Sequence, residues 1–77
     1  MEEKIIEILN SIKPGADFAA SADLLGEGLI DSFAMINLVS ELEDEFDVEI
    51  GAQNIIKENF KTVKTIADII TRLADED

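Results

Sequence analysis

Apolar residues recur at helical spacing in three separate segments of this chain, and this pattern limits the fold more than any other feature. The first segment covers residues 2–12. Its apolar positions follow the i, i+3, i+4, i+7 rule for one helical face and are Ile5, Ile8, Leu9 and Ile12. Pro14 and Gly15 follow, and proline disfavours helical geometry at the residue before it. We therefore expect the first helix to end near residue 12 or 13.

The second segment predicts a helix that begins near Asp31 or Ser32 and ends near Phe46. Its core stripe consists of Met35, Leu38, Val39, Leu42 and Phe46. Either Asp31 or Ser32 can cap the helix, since both side chains offer an oxygen to an unpaired N–H of the first turn. The last turns are acidic, with Glu41, Glu43, Asp44 and Glu45. Acids at the C-terminal end of a helix oppose the helix dipole. Because this arrangement breaks a local rule, it indicates that a partner uses this end.

The third segment predicts a last helix that starts at Thr62 or Thr65, with residues 65–68 as a capping box. Its apolar face consists of Ile66, Ile69, Ile70 and Leu73. A short helix over residues 52–57, using Ile55 and Ile56, is expected before it. Residues 75–77 are expected to fray. Residues 47–50 alternate in polarity, but they are too few for a strand and have no partner.

A long loop over residues 15–30 separates the first two helices. Glycines interrupt it, Ser21 and Asp23 are expected to form turns, and residues 18–20 are expected to form a turn of helix. Its core anchors are expected to be Phe18, Leu24, Leu25, Leu29 and Ile30. The sequence therefore predicts a single all-α domain over residues 1–77. Its architecture is a small bundle of three main helices plus one short helix, with a long loop between helices 1 and 2.

The charges of this chain are strongly segregated. The formal net charge is −12, and no Lys or Arg occurs from Pro14 to Ile56, where ten acids lie. Such a surface repels nucleic acid and anionic lipid and attracts proteins with basic patches. No apolar run is long enough to span a membrane, and residues 1–4 do not resemble a signal peptide. We expect a cytoplasmic monomer that does not insert into membranes.

Several kinds of chemistry are excluded by composition. The chain has no His, Cys, Tyr or Trp. A Ser–His or Cys–His nucleophile and a histidine-ligated zinc site are therefore impossible. No phosphate-binding glycine loop occurs, and the acidic run does not fit a calcium-binding loop because glycine is missing from its sixth position. We expect neither a metal site nor catalytic residues, and hence no enzyme.

The start of the second helix carries a family resemblance. Residues 28–33 read GLIDSF, and the helix continues with an acidic stretch that ends in Glu45-Phe46. This pattern resembles the signature of acyl and peptidyl carrier proteins, and the similarity covers nearly the whole chain. Phe33, Ala34 and Asn37 stand where carriers of fatty-acid synthesis usually have Leu and acidic residues. The motif is more similar to D-alanyl carriers and to stand-alone carriers of specialised biosynthesis.

The resemblance implies that Ser32 bears a covalent 4'-phosphopantetheine arm. A phosphopantetheinyl transferase would move the arm from coenzyme A, and Asp31 would help to present the serine. The thiol of the arm would hold acyl or aminoacyl groups as thioesters for partner enzymes with basic patches. A helix N-terminus suits the resulting phosphodiester. The simpler interpretation is that Ser32 is only a helix cap.

A partner-binding face is expected beside the core stripe of the second helix. Phe33 and Ile36 would form an apolar spot on it, unless they pack against the long loop. Glu41, Asp44 and Asp47 would steer partners. Within the carrier hypothesis, an acyl, a D-alanyl and a peptidyl carrier remain open. A different class, an acidic adaptor or inhibitor without cofactor, would use the same surface.

Overall fold

The chain folds into three α-helices connected by loops and short 3₁₀ helices. The computed structural model describes residues 1–20 and 22–75. The helices are α1 (Glu2–Ile12), α2 (Ser32–Phe46) and α3 (Val63–Asp75), and the 3₁₀ helices are η1 (Ala52–Asn54) and η2 (Lys57–Phe60). The described residues contain no strand. The predicted all-α class is therefore confirmed.

The bounds of α1 and α2 agree with the periodicity of their apolar residues. The α1 helix closes with a bond from the N–H of Lys13 to the carbonyl of Leu9, at 2.9 Å, immediately before Pro14. Gly15 then takes a positive φ of 96°, which a residue without a Cβ adopts at little cost. At the other boundary, α2 ends where Asp47 enters the left-handed region with φ 52°.

The core lies between α1, α2 and α3, and the long loop contributes to it. Contacts join α1 to both other helices. Phe18 and Leu24, both from the loop, are among the most completely buried side chains of the described residues. The loop is also tied to the segment before α3, because the N–H of Leu24 donates to the carbonyl of Lys61 at 2.7 Å. The predicted anchors are thus confirmed, although Leu25 and Leu29 are only partly buried.

Within the loop, the local predictions had mixed outcomes. Residues 18–20 form a turn rather than a turn of helix. Asp23 acts as a turn former, as predicted, since its Oδ1 accepts from the N–H of Gly26 at 2.9 Å. Ser21 lies outside the described residues, as do Glu76 and Asp77 of the predicted frayed tail, whereas Asp75 is the last residue of α3.

The single short helix predicted over residues 52–57 is wrong. Two 3₁₀ helices occupy this region, and the backbone is extended between them at Ile56, with φ −124° and ψ 157°. Ile55 and Ile56 are 40% and 46% exposed. Phe60 in η2 is fully buried instead, and η2 packs against α3. One large aromatic ring therefore provides the core contact that we had expected from the two isoleucines.

Of the two predicted starts of α3, the structure confirms Thr62, so the capping box predicted over residues 65–68 is wrong. The hydroxyl of Thr62 accepts from the N–H of Thr65 at 3.1 Å, and the hydroxyl of Thr65 accepts from the N–H of Thr62 at 3.0 Å. This reciprocal pairing satisfies two backbone donors at the helix start. It places Val63, which is buried, in the first turn of α3.

Part of the acidic end of α2 is compensated within the chain. The Oε2 atom of Glu43 accepts from the N–H of Ile50 at 2.8 Å. The ammonium of Lys4 lies 3.7 Å from Glu45 and 3.4 Å from Glu7. The carboxylates of Glu45 and Glu7 hold the pKa of Lys4 above its ordinary value. Glu43 and Glu45 thus have contacts within the fold that the sequence did not reveal.

Candidate functional site at the start of helix α2

Ser32 is the first residue of α2 and its side chain is exposed. The cap is Asp31, whose backbone is extended and whose Oδ1 accepts from the N–H of Ala34 at 2.8 Å. Of the two capping candidates, the structure therefore selects Asp31. The hydroxyl of Ser32 makes no hydrogen bond to any other described residue. It is consequently not needed for the helix start and is available for other chemistry.

The segment that presents Ser32 is fixed at both ends. Ile30 before it is 2% exposed and Ala34 after it is 9% exposed, whereas residues 31–33 are exposed. The N–H groups of Leu29 and Ile30 donate to the carbonyl of Leu24, at 3.0 and 3.3 Å. Three exposed residues are thus held between two buried anchors, so the backbone around Ser32 has a defined position.

A long-range bond also supports this segment. The ammonium of Lys13, at the end of α1, donates to the carbonyl of Gly28 at 3.0 Å. Gly28 has a positive φ of 75°, a conformation that favours glycine. Gly28 is the first residue of the motif quoted for the family resemblance, but Lys13 was not predicted to belong to the site. One sequence feature could have pointed to Lys13: it is the last cation before residues 14–56, which contain no Lys or Arg.

The outer face of α2 carries two large exposed apolar side chains. Phe33 is 80% exposed and Ile36 is 66% exposed, so neither packs against the long loop. Asn37 and Ser40 are exposed beside them at helical spacing. Isolated apolar residues are common on protein surfaces, but two neighbours at these exposures form a small patch. The structure thus leaves both residues accessible to a partner.

The predicted steering acids are exposed as well. Asp44 follows Phe33, Asn37 and Ser40 along the outer face of α2, and Glu41 lies to one side of it. Asp47 is exposed in the turn that ends the helix. Within the described part of the chain, the ion pairs involve Lys4 and none of these three acids. Their charges are therefore directed to solvent.

A cleft of about 240 Å³ lies next to Ser32, between the end of α1 and the start of α2. It is lined by Ile12, Lys13, Asp31, Ala34 and Asn37. A larger groove of about 510 Å³ runs along α3 and contains none of the predicted site residues. In the described ranges, no three His, Cys, Asp or Glu residues come together as a group of metal ligands. None of the described helices has the length and apolarity required to cross a bilayer.

Comparison with known proteins shows which family the chain matches. Residues 2–71 match the family model described as phosphopantetheine attachment site. The D-alanyl carrier protein of Lactococcus lactis subsp. cremoris (strain MG1363) is 32% identical over 78 residues, which cover 99% of each chain. The D-alanyl carrier protein of Streptococcus gordonii is 24% identical, with 95% of this chain and 94% of the relative covered.

A relative of a second kind is the protein named "Probable acyl carrier protein PigG" of Serratia sp. (strain ATCC 39006). It is 33% identical over 78 residues, which cover 95% of this chain and 87% of the relative. No solved structure gives a significant match. The similarities therefore extend over nearly the whole chain and include the start of α2.

Proposed function

The chain belongs to the family of carrier domains with a phosphopantetheine attachment site, and on that premise we propose that Ser32 is its attachment residue. Carriers of this family hold 4'-phosphopantetheine covalently, and the thiol of the arm binds acyl or aminoacyl groups as thioesters. They act together with loading and processing enzymes and are not catalytic themselves. The family match favours a carrier over the cofactor-free adaptor.

The observation on which the proposal rests is the exposed hydroxyl of Ser32 in the first turn of α2. Unpaired N–H groups and the positive end of the helix dipole suit the phosphodiester that would form there. Two other described serines fit less well. The hydroxyl of Ser11 donates to the carbonyl of Ile8 at 2.8 Å, and Ser40 lies in the middle of α2, where the backbone N–H groups are paired.

The roles of this chain in the modification are positional. Asp31 holds the start of α2 in place, so that the hydroxyl of Ser32 faces solvent and reaches the active site of a transferase. The oxygen of Ser32 forms the new bond to the phosphorus that bears pantetheine and loses its proton, while the pyrophosphate bond of coenzyme A breaks and adenosine 3',5'-bisphosphate leaves. The chain has no His or Cys, and an oxygen of the neighbouring Asp31 carboxylate already accepts from the N–H of Ala34, so we assign the base that takes this proton to the transferase.

We propose that partners bind the outer face of α2. Phe33 and Ile36 supply apolar contact, and Glu41, Asp44 and Asp47 attract basic patches on the transferase and on loading enzymes. The absence of cations from residues 14–56 opposes binding to nucleic acid. The single domain over residues 1–77, the monomeric state and the cytoplasmic location stay predictions.

The cargo proposed first is D-alanine, with other aminoacyl or acyl groups of a specialised pathway second. D-alanyl carrier proteins are among the relatives that match almost end to end. Phe33, Ala34 and Asn37 also depart from the pattern usual in fatty-acid carriers. Incubation of the modified protein with ATP, D-alanine and an enzyme that adenylates D-alanine should give a thioester that hydroxylamine cleaves. Loading of a longer acyl group but not of D-alanine would contradict this choice.

Intact mass spectrometry tests the attachment site. After incubation with coenzyme A and a phosphopantetheinyl transferase, the protein should gain the mass of one phosphopantetheine. Ser32→Ala should gain nothing, whereas Ser11→Ala, the same change at an exposed serine of α1 outside the proposed partner face, should be modified like the wild type. If several transferases give no gain, or if Ser32→Ala is still modified, the proposal is wrong. The former result would favour the acidic adaptor.

A further inference from the structure

The cleft between α1 and α2 lies immediately beside the proposed attachment residue. Asp31, which precedes Ser32, forms part of its wall together with Ala34 and Asn37 from α2. Ile12, the last residue of α1, and Lys13, which follows it, also line the cleft. At about 240 Å³, the cleft has room for several water molecules. This space suits a segment of a flexible arm rather than a whole arm with its cargo.

The cleft lining contains one cation, Lys13, and one carboxylate, Asp31, so an anionic group is favoured only near Lys13. A phosphodiester on Ser32 lies near the carboxylate of Asp31 in any position of the arm, because the two residues are adjacent. The cation that can compensate this repulsion is Lys13, which is one of the residues that line the cleft. An ammonium has three N–H donors, and Lys13 uses one of them on the carbonyl of Gly28, at 3.0 Å. Two donors remain for phosphate oxygens.

The other lining residues match the chemistry of the rest of the arm. Next to its phosphate, phosphopantetheine has a branched apolar carbon, followed by amide groups. Ile12 is half-buried and offers apolar surface, and the exposed side-chain amide of Asn37 can both donate and accept hydrogen bonds. A cation, an apolar side chain and an amide thus occur together in one cleft beside Ser32.

We infer that this cleft holds the phosphate-proximal part of the phosphopantetheine arm between partner encounters, with Lys13 facing the phosphodiester. The inference rests on the proposed attachment at Ser32. Lys13 acts as a positioning residue for the arm, in addition to its bond to Gly28. Because Lys13 is exposed, its attraction for the phosphate is modest and is screened by salt. The arm therefore leaves the cleft readily when a partner engages its thiol.

The test uses isotope-labelled protein with an unlabelled arm, after intact mass has shown complete modification. Isotope-filtered NOE spectra should show contacts from the methyl protons of the arm to Ile12 and to the side-chain amide of Asn37. The amide signals of Lys13 and Asn37 should shift between the unmodified and modified forms. Raising the salt to about 1 M, where the Debye length falls to about 3 Å, should weaken these contacts at least twofold.

Three variants distinguish an effect of the charge of Lys13 from an effect on folding. Lys13→Gln should lose most of the NOE intensity, and Lys13→Arg should keep it. Lys64→Gln, an exposed cation of α3 outside the cleft lining, is the matched control and should behave like the wild type. The unmodified form of each variant is compared first with that of the wild type. If Lys13→Gln does not fold, the NOE contacts of the wild type and their salt dependence test the inference instead.

The possible failures can be distinguished. No mass gain on the wild type refutes the attachment proposal itself. A complete mass gain without NOEs to Ile12 or Asn37 means that the arm moves freely in solvent, and it overturns only the present inference. Contacts that appear solely after the thiol is loaded would assign the cleft to the cargo, which also overturns it. Contacts that Lys13→Gln leaves unchanged would remove the proposed role of the ammonium.

Discussion

Replacing Asp31 with alanine tests how the chain holds its proposed attachment site. The substitution removes the oxygen that accepts from the N–H of Ala34 at 2.8 Å. Loss of such a cap costs about 0.5–2 kcal/mol. Ala34 is only 9% exposed, so its N–H would have poor access to water, and we expect the upper half of that range, about 1–2 kcal/mol. The total free energy of unfolding of a chain of this length is roughly 4–12 kcal/mol, so the loss is substantial.

Asp31→Asn is the matched change because asparagine caps helices about as well as aspartate. It keeps an oxygen for the N–H of Ala34 and removes only the charge, whose interaction with the helix dipole is about 0.3–1 kcal/mol. The expected order of stability is wild type, then Asp31→Asn, then Asp31→Ala. Because urea m-values of small domains start near about 1 kcal/mol per M, Asp31→Ala should lower the urea midpoint by about 1–2 M.

Far-UV circular dichroism is the appropriate probe, since the chain has neither Trp nor Tyr to report by fluorescence. The rate of phosphopantetheine transfer is measured separately, without urea, where all three proteins are folded. Equal midpoints for Asp31→Ala and the wild type would refute the stabilising role of the cap. Equal losses in both variants would mean that the charge, and not the hydrogen bond, stabilises the start of α2.

Four further predictions concern the core, the partner face and one ion pair. Leu38→Ala removes a fully buried side chain and should lower the free energy of unfolding, measured by urea denaturation, by about 2–5 kcal/mol. A decrease below about 1 kcal/mol would contradict the assigned core. Phe33→Ala should change stability by less than about 0.5 kcal/mol yet slow transfer severalfold, and an unchanged rate would remove Phe33 from the partner face. Transfer should slow as ionic strength rises, and the double change Asp44→Asn with Asp47→Asn should flatten this dependence; equal slopes would exclude these acids from steering. The raised pKa of Lys4 means that its stabilising contribution is present below the ordinary value of 10.5 and is lost as the pH rises through the higher folded value. The stability difference between the wild type and Lys4→Met should therefore vanish in strong alkali, and a difference that persists there would refute the ion pair.

The parts of the fold that depend on local periodicity were predictable from the sequence. The bounds of α1 and α2 and the confirmed loop anchors follow from apolar spacing, proline, glycine and a capping side chain. Both Phe33 and Ile36 were predicted for a possible partner face, and both are exposed. The role of Ser32 stays a prediction, but its exposure at the helix start agrees with it.

The features that the sequence did not reveal depend on contacts between distant residues. Nothing local to Ile55 and Ile56 indicates that Phe60 takes their expected place against α3. The bond from Lys13 to Gly28 spans 15 residues, and the bond from Ile50 to Glu43 crosses the turn that ends α2, so neither follows from a local sequence pattern. The sequence left Thr62 and Thr65 open as the start of α3 because both satisfy the local rule, and only the structure selects Thr62.

The anchoring of the long loop has a consequence for any enzyme that acts on Ser32. Because Phe18, Leu24 and Ile30 are buried with the helices, this loop cannot be reshaped without disrupting much of the domain. If Ser32 is the attachment residue, as proposed, a transferase would have to accept the serine in the orientation that the folded domain gives it, and any induced fit would occur in the enzyme. The backbone around Ser32 would then keep one conformation. The flexible arm, rather than the protein, would adapt to the different depths of different catalytic sites.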